Sequence, residues 1–274
     1  LLRETFVHIP GIGPSKERKL WDAGVRDWSA FRDPSPRAAE VLRRSEVALA
    51  ENDLHWFYGM LPRSELWRLV PGNLKDAAFL DIETTGLGPP PQAESTTITF
   101  VFRGELFQEH ERARKLRLIR DILSECSLIV SFFGEVFDVP FLEKEFGLEF
   151  RKAHVDLCFW LKRHGLKGGL KRIQKLFAEI PERDSMDIDG FDAVRLWKLH
   201  QRGVKGALDT LLTYNAEDTI VLEPLLMRAW ELERAARPER GLPELRARRM
   251  PVVRTRVHEE VYALLRGAEV SPRY

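Results

Sequence analysis

Cysteine is almost missing from this 274-residue chain: only Cys126 and Cys158 occur. Without a CxxC pair, or histidines at zinc spacing, neither a disulfide framework nor a structural zinc site is expected. Two free thiols fit a reducing, cytoplasmic setting. Long apolar runs are missing too. No stretch of about 18 uncharged apolar residues exists, which argues against a transmembrane helix and a membrane partner. Excess charge of either sign is absent, with Lys+Arg 43 against Asp+Glu 42 and a net charge of +1. Whole-chain charge therefore does not advertise nucleic acid, and any basic surface must be local. No internal repeat is found. The first residue is Leu1 rather than Met, as expected of a fragment of a longer product. What remains is a 44% hydrophobic composition, ordinary for a chain with a real core. The length suits one large domain, or a medium domain with a small one.

The central stretch is Ala77 to Leu87, Ala-Ala-Phe-Leu-Asp-Ile-Glu-Thr-Thr-Gly-Leu. It predicts a short apolar strand over Ala77 to Ile82, ending in two carboxylates and a turn at Gly86. Side chains two apart on a strand share a face, so Asp81 and Glu83 point the same way. Two such carboxylates repel, and in a partly buried site one protonates unless a cation sits between them. Oxygen-only ligands suit Mg²⁺ or Mn²⁺. A solvated Asp and Glu at a strand end is the plainer alternative.

Residues 1–73 differ in character and hold Trp21, Trp28, Trp56 and Trp67. Gly11-Ile12-Gly13 opens a helix whose free N–H groups suit a phosphate, with Lys16 and Lys19 on its first turns; a plain Gly-Pro turn before a helix is the alternative. Leu20 and Val25 serve as apolar anchors and Gly24 as the C-terminal cap. Asp33-Pro34-Ser35-Pro36 breaks the chain. Arg37 to about Leu61 reads as one or two helices with Val41, Val47, Leu54 and Phe57 inward. A domain boundary is placed near Gly72.

Beyond the central strand, Thr96 to Phe102 and Glu105 to Glu109 predict two more strands around an Arg103-Gly104 turn, completing an antiparallel meander. A helix over Arg112 to Leu123, a buried strand over Leu128 to Phe132 and a strand ending at Val155-Asp156-Leu157 follow. Meander plus β-α-β crossovers give a mixed sheet with helices on both faces. Later helices are read over Cys158 to His164, Leu170 to Phe177 and Phe191 to His200, with a polar loop over Pro181 to Gly190. Ala207 to Trp230 is the longest helical stretch, interrupted near Tyr214. Residues 231–274 form an Arg-rich extension, read as a solvated segment.

Two further motifs bear on chemistry. Asp138 lies among Phe137, Val139 and Phe141 at a loop-to-helix transition. There it serves as a helix N-cap, as a ligand, or as both. Tyr214 and Asp218 are four apart, on one helix face, where a phenol and a carboxylate orient a water beside a metal. The alternative is a core Tyr and an exposed Asp.

In this order, Asp-x-Glu, the Asp before a Pro-hydrophobic helix and Tyr-x₃-Asp resemble the DEDD superfamily of 3′→5′ exonucleases over about Lys75 to Trp230. Tyr214 marks the tyrosine subclass; the histidine subclass requires His where Thr213 stands. His154-Val-Asp156-Leu with Gly165-Leu-Lys-Gly-Gly-Leu looks most like YprB-type RNase H-like domains. The N-terminal Gly-Ile-Gly turn resembles half of a helix-hairpin-helix. The resemblance implies an α/β, RNase H-like mixed five-stranded sheet flanked by helices, behind a small helical N-terminal domain. It further implies two divalent cations, Mg²⁺ or Mn²⁺, held by Asp81, Glu83, Asp138 and Asp218, with Asp81 between them and Tyr214 orienting the water. The substrate is single-stranded or 3′-ended DNA or RNA. By the same resemblance Thr84 and Leu87 meet the terminal nucleotide, Leu87 as an apolar wedge whose alternative is packing on the core. Lys167 and Lys171 belong to a basic cluster with Lys162, Arg163 and Arg172, which lines the strand's path or is a solvated helix face. Where the family often has Asn, four residues before Asp138, this chain has Gly134. A nucleic-acid-binding module of weak or no turnover is the alternative, and an RNase H-like endonuclease a third reading.

Overall fold

The computed structural model describes residues 1–32, 35–180, 183–185 and 188–267. The Asp33-Pro34 break, parts of the Pro181–Gly190 loop and the last residues of the Arg-rich extension lie outside the described residues.

The amino-terminal region is helical. A short 3-10 turn over Leu2–Glu4 leads through the Gly11 turn into α1 (Pro14–Asp22), which Gly13 opens in extended conformation. Gly24 ends it at φ +84°, where the Gly24 and Val25 amides donate to the Trp21 and Leu20 carbonyls, and a side chain would be strained. Ser35 caps α2 (Pro36–Ala50) and Asp53 caps α3 (Leu54–Met60). Val41, Leu54 and Phe57 are buried as predicted, but Val47 is 44% exposed. A second 3-10 segment, Arg63–Leu69, carries Arg68 into the interior, where it is paired with Glu17 and Glu65 at 2.7 Å each.

Strands β1 (Ala77–Thr84), β2 (Ser95–Phe102) and β3 (Glu105–Glu109) form the meander. Helix α4 (Arg112–Glu125) leads to β4 (Leu128–Ser131), α5 (Asp138–Phe146) to β5 (Ala153–Asp156). The sheet order is β3-β2-β1-β4-β5, antiparallel on one side of β1 and parallel on the other. Helices α6 (Leu157–Arg163), α7 (Leu170–Gln174), α8 (Gly190–Gln201), α9 (Ala207–Ile220) and α10 (Leu222–Ala236) follow. The break expected near Tyr214 falls instead at Val221, so Tyr214 and Asp218 share one uninterrupted helix.

Pleating divides β1 between two cores. Ala78, Leu80 and Ile82 join Ile119, Phe141 and Leu142 on one face. Ala77 and Phe79 join the other core, which holds Trp67, Trp160, Leu225 and Trp230 and runs unbroken across Gly72 into the amino-terminal helices. Asp81 and Glu83, odd-numbered like Phe79, face the side covered by α9.

The Arg-rich extension is not simply solvated. Trp230 Nε1 donates to the Pro243 carbonyl at 2.9 Å, and Arg248 pairs with Glu223 at 2.9 Å. Thr213 Oγ1 donates to Thr255 Oγ1 at 2.9 Å. A last helix, α11 (Glu259–Leu265), buries Val261 and Leu265 against α8. The segment is anchored by those contacts and, over residues 251–257, by alternate half-buried positions, while Arg246, Arg249, Arg254 and Arg256 stay exposed. Among the described residues no helix is long and apolar enough to cross a membrane.

Candidate functional site

The site begins where β4 stops. Only Ala77, Ala78 and Phe79 of β1 pair with β4, so the last five residues of β1 have β2 on one edge and no strand on the other. A buried N–H on that bare edge needs an acceptor. Asp138 supplies it: its Oδ1 accepts from the Ile82 amide at 3.1 Å. Asp138 is therefore the first residue of α5 and not its cap; Phe137 holds the N-cap position, with no side-chain cap bond. The carboxylate is committed to the sheet instead.

Asp81, Glu83 and Asp218 each offer a carboxylate oxygen, and these oxygens lie within 4.8 Å of one another. Asp138 stands beside them, near enough for its charge to act on Glu83. Burial pushes Asp81 up to about 7, opposed by its hydrogen bond from Asn215 and by the Arg183 charge. Burial also drives Glu83 and Asp138 well above the usual carboxylate range, with the Asp81 charge adding to both. Asp81 and Glu83 still keep a solvent-facing opening. All-oxygen donors that cannot comfortably ionise together fit a hard divalent cation.

Tyr214 is buried on the same face of α9 as Asp218. Burial, then the Glu83 and Asp81 charges, raise its phenol far above the ordinary value. The Lys171 ammonium lies 4.7 Å from the Tyr214 ring centroid. Lys171 is thus not on a solvated face: it donates to the Ser185 and Ile188 carbonyls, 3.0 Å to the former, and burial lowers it to about 8. Lys167 is exposed. Thr84 is buried and its hydroxyl donates to the Gly86 carbonyl at 2.8 Å, shaping the turn that leaves Leu87 83% exposed. Leu87 does not pack on the core. Gly11, Gly13 and Lys16 are exposed. The two glycines line a separate amino-terminal hollow that includes none of the acidic residues.

Three residues complete the site without having been assigned a role from sequence. Asn215 Nδ2 donates to Asp81 Oδ2 at 2.6 Å. Its own Oδ1 accepts from Thr99 Oγ1 at 2.5 Å, and Gln108 donates to Thr99 at 2.9 Å. This chain of bonds fixes the Asp81 carboxylate. Arg183, almost wholly buried, forms an ion pair with Asp218 and donates to Gln174. Glu217 accepts from the Asp184 and Ser185 amides at 2.9 and 3.0 Å, pinning the backbone that carries Arg183. Asp156 accepts from the Phe133, Glu135 and Cys158 amides at 2.9, 3.0 and 2.9 Å, holding the loop that leads to Asp138. Asn215 was legible only as a polar residue between Tyr214 and Asp218. Asp156 stood out only within the His154-Val-Asp156-Leu resemblance, with no role attached, and Arg183 carries no local signal.

Gly134 has a steric cause. A Cβ there would sit 2.5 Å from Ser131 Oγ, 2.7 Å from Ser131 Cβ and 3.1 Å from Asp138 Oδ2. Ser131 Oγ is itself 2.7 Å from His154 Nε2. No side-chain amide fits this loop. Gly134→Asn is expected to lower stability by about 1–3 kcal/mol, the usual range for overpacking. A urea melt checks this, and an unchanged midpoint would remove the steric account.

A carboxylate cluster at the open central strand of a mixed sheet is a site able to hold divalent cations. Residues 78–230, more than half of the chain, match the family model RNase_H_2 of the RNase_H superfamily, and the chain belongs to that superfamily. No curated protein matches the chain.

Proposed function

We propose that this chain is a divalent-metal-dependent 3′→5′ exonuclease of the tyrosine DEDD subclass, removing 5′-mononucleotides from single-stranded or 3′-ended DNA or RNA. The observation that carries the reading is Tyr214, held one helical turn before Asp218 and within reach of the Glu83 and Asp81 charges. Asp81, Glu83, Asp138 and Asp218 would hold two Mg²⁺ or Mn²⁺ ions, which when bound activate the attacking water and offset charge on the departing 3′-oxygen. Asp81 would serve both ions, and Asn215 holds its carboxylate through the 2.6 Å bond to Oδ2. The Tyr214 phenol stays protonated at working pH. It therefore donates a hydrogen bond and orients the attacking water; it is not the base that accepts the proton. Exposed Leu87 is placed to wedge against the terminal base, and Lys167 to neutralise a backbone phosphate.

The test is incubation with Mn²⁺ or Mg²⁺ and 5′-labelled DNA and RNA single strands, beside a circular single strand and an EDTA control. A metal-dependent ladder shortening from the 3′ end, with the circle intact, is expected. Cleavage of the circle would replace the reading with an endonuclease.

Arg183 gives a second handle. Its guanidinium pairs, through Asp218 Oδ1, with a carboxylate that a cation would also use. Arg183→Gln is expected to tighten Mn²⁺ binding about tenfold, a gain of roughly 1.4 kcal/mol. Calorimetric titration reads this directly. Equal or weaker binding would mean that Arg183 and the metal do not compete.

A further inference from the structure

A second feature lies beyond the end of the edge strand β5. A pocket of about 360 Å³ opens between the 3-10 segment Arg63–Leu69 and α6. Its walls are aromatic, from Trp67, Phe159 and Trp160, and its rim is cationic, from Arg63, Lys162 and Arg163. Two acids also line it, and both are already occupied. Asp156 accepts three backbone N–H groups, and Glu135 is held by the Tyr58 hydroxyl at 2.9 Å and Arg63 at 3.0 Å. Arg63 nonetheless remains 76% exposed, and exposed Lys162 has no ion pair among the described residues.

One loop, from β4 to Asp138, links the pocket wall to the carboxylate cluster. Phe133 follows β4 by two residues and precedes Asp138 by five. Its backbone is left-handed, φ +68°, a conformation that a bulky aromatic avoids unless its surroundings impose it. Asp156 imposes it by gripping the Phe133 and Glu135 amides. The consequence is a ring 46% exposed, 6.1 Å from the Phe159 ring at the pocket wall. Exposed aromatics interleaved with cations are what a single strand needs, because bases stack on the rings and phosphates meet the cations.

The geometry points to an upstream subsite for the same single strand whose end reaches the carboxylates. One base stacks on Phe133 and Phe159, and its phosphates are met by Arg63 and Lys162; Arg163 lines the pocket beside them but is held by the Ser64 carbonyl and by Glu233 at 3.5 Å. This rests on the nucleic-acid reading above and extends it to how the body of the strand is held.

The test uses the whole chain in EDTA, so that binding is read without cleavage. The probes are fluorescein-labelled single-stranded DNAs of about three and about twelve nucleotides, the longer within the span one such groove holds. Phe133→Ala keeps a Cβ at the left-handed position and removes only the ring; Lys162→Glu reverses one rim charge. Each is expected to weaken binding of the longer strand about tenfold by anisotropy and to abolish the affinity gained with length. Lys162→Glu also makes the salt dependence shallower, by about 0.7 in log–log slope or more. Thermal melts matching the parent protein show that the fold is kept. Variants that bind like the parent, or a parent whose affinity does not rise with length, would overturn the subsite. If binding follows expectation but no metal supports shortening, the subsite stands and the exonuclease reading falls. If shortening proceeds while the variants bind normally, the subsite alone falls.

Discussion

Asp81→Asn is expected to abolish metal-dependent shortening of a labelled strand, by about 10³-fold or more, since several kcal/mol of metal-based stabilisation pass through that one carboxylate. The same substitution is expected to stabilise the metal-free protein. Asp81 adds charge repulsion to both Glu83 and Asp138, and all three are pushed upward by burial. A carboxyl held at about 7 in the folded chain, against an ordinary 3.8, keeps a proton that the unfolded chain has lost. Between those values the native state binds more protons, so stability falls as pH rises from about 4 to 7. Removing the charge at Asp81 relieves this, by roughly 2 kcal/mol at pH 8 once the solvent-facing opening is allowed for. Thermal melts of parent and variant at pH 5 and pH 8 in EDTA, repeated with Mn²⁺, separate the effects. The variant should melt higher at pH 8 without metal and gain little from Mn²⁺. A variant that melts lower at pH 8 in EDTA, or still gains the parent's full increment from Mn²⁺, would show that the cluster is not a strained cation site.

The parts of this site that were legible in the sequence are those with local periodicity. Strand pleating placed Asp81 and Glu83 on one face, and the helical repeat placed Tyr214 over Asp218. Both follow from backbone geometry within a few residues. Contacts that close between distant segments were not legible. Asn215 meets Asp81 from 134 positions away. Arg183 reaches Asp218 from a loop whose course is set by Glu217 and Lys171, neither of which announces that role in sequence. Asp138 was ambiguous for a related reason. Asp before a helix reads as a cap, and only the early end of β4 shows that the Ile82 amide claims its carboxylate. Val47 was read as inward, yet it is 44% exposed, while its neighbour Ala48 takes the buried position on that turn of α2.

Arg68→Met is expected to be the most destabilising of the substitutions considered, although it touches no part of the carboxylate cluster. Arg68 and Glu17 are 2% and 1% exposed, and Arg68 is bonded to Glu17 through both terminal nitrogens, at 2.9 and 2.7 Å. It also reaches Glu65 through Nε at 2.8 Å. Glu17 in turn accepts from the Phe6 amide at 2.6 Å and the Val7 amide at 3.3 Å, at the start of the turn that carries Gly11 and Gly13. Without the guanidinium, the buried Glu17 and Glu65 carboxylates lose the cation bonded to both, and only the more distant Arg237, 4.0 Å from Glu65, and Arg240 remain nearby. Breaking such a pair from one side costs about 3–5 kcal/mol, which lowers the melting temperature by roughly 10 °C in a chain of this size. Arg68→Met combined with Glu17→Gln and Glu65→Gln should recover most of that loss, because the uncompensated charge, and not the missing contact, causes it. The amino-terminal turn should loosen with the single variant, since Glu17 is its anchor; hydrogen exchange at the Phe6 and Val7 amides reads this. A single variant that melts within about 2 °C of the parent, or a triple variant no better than the single one, would show that the ion cluster does not hold α1 to the 3-10 segment Arg63–Leu69.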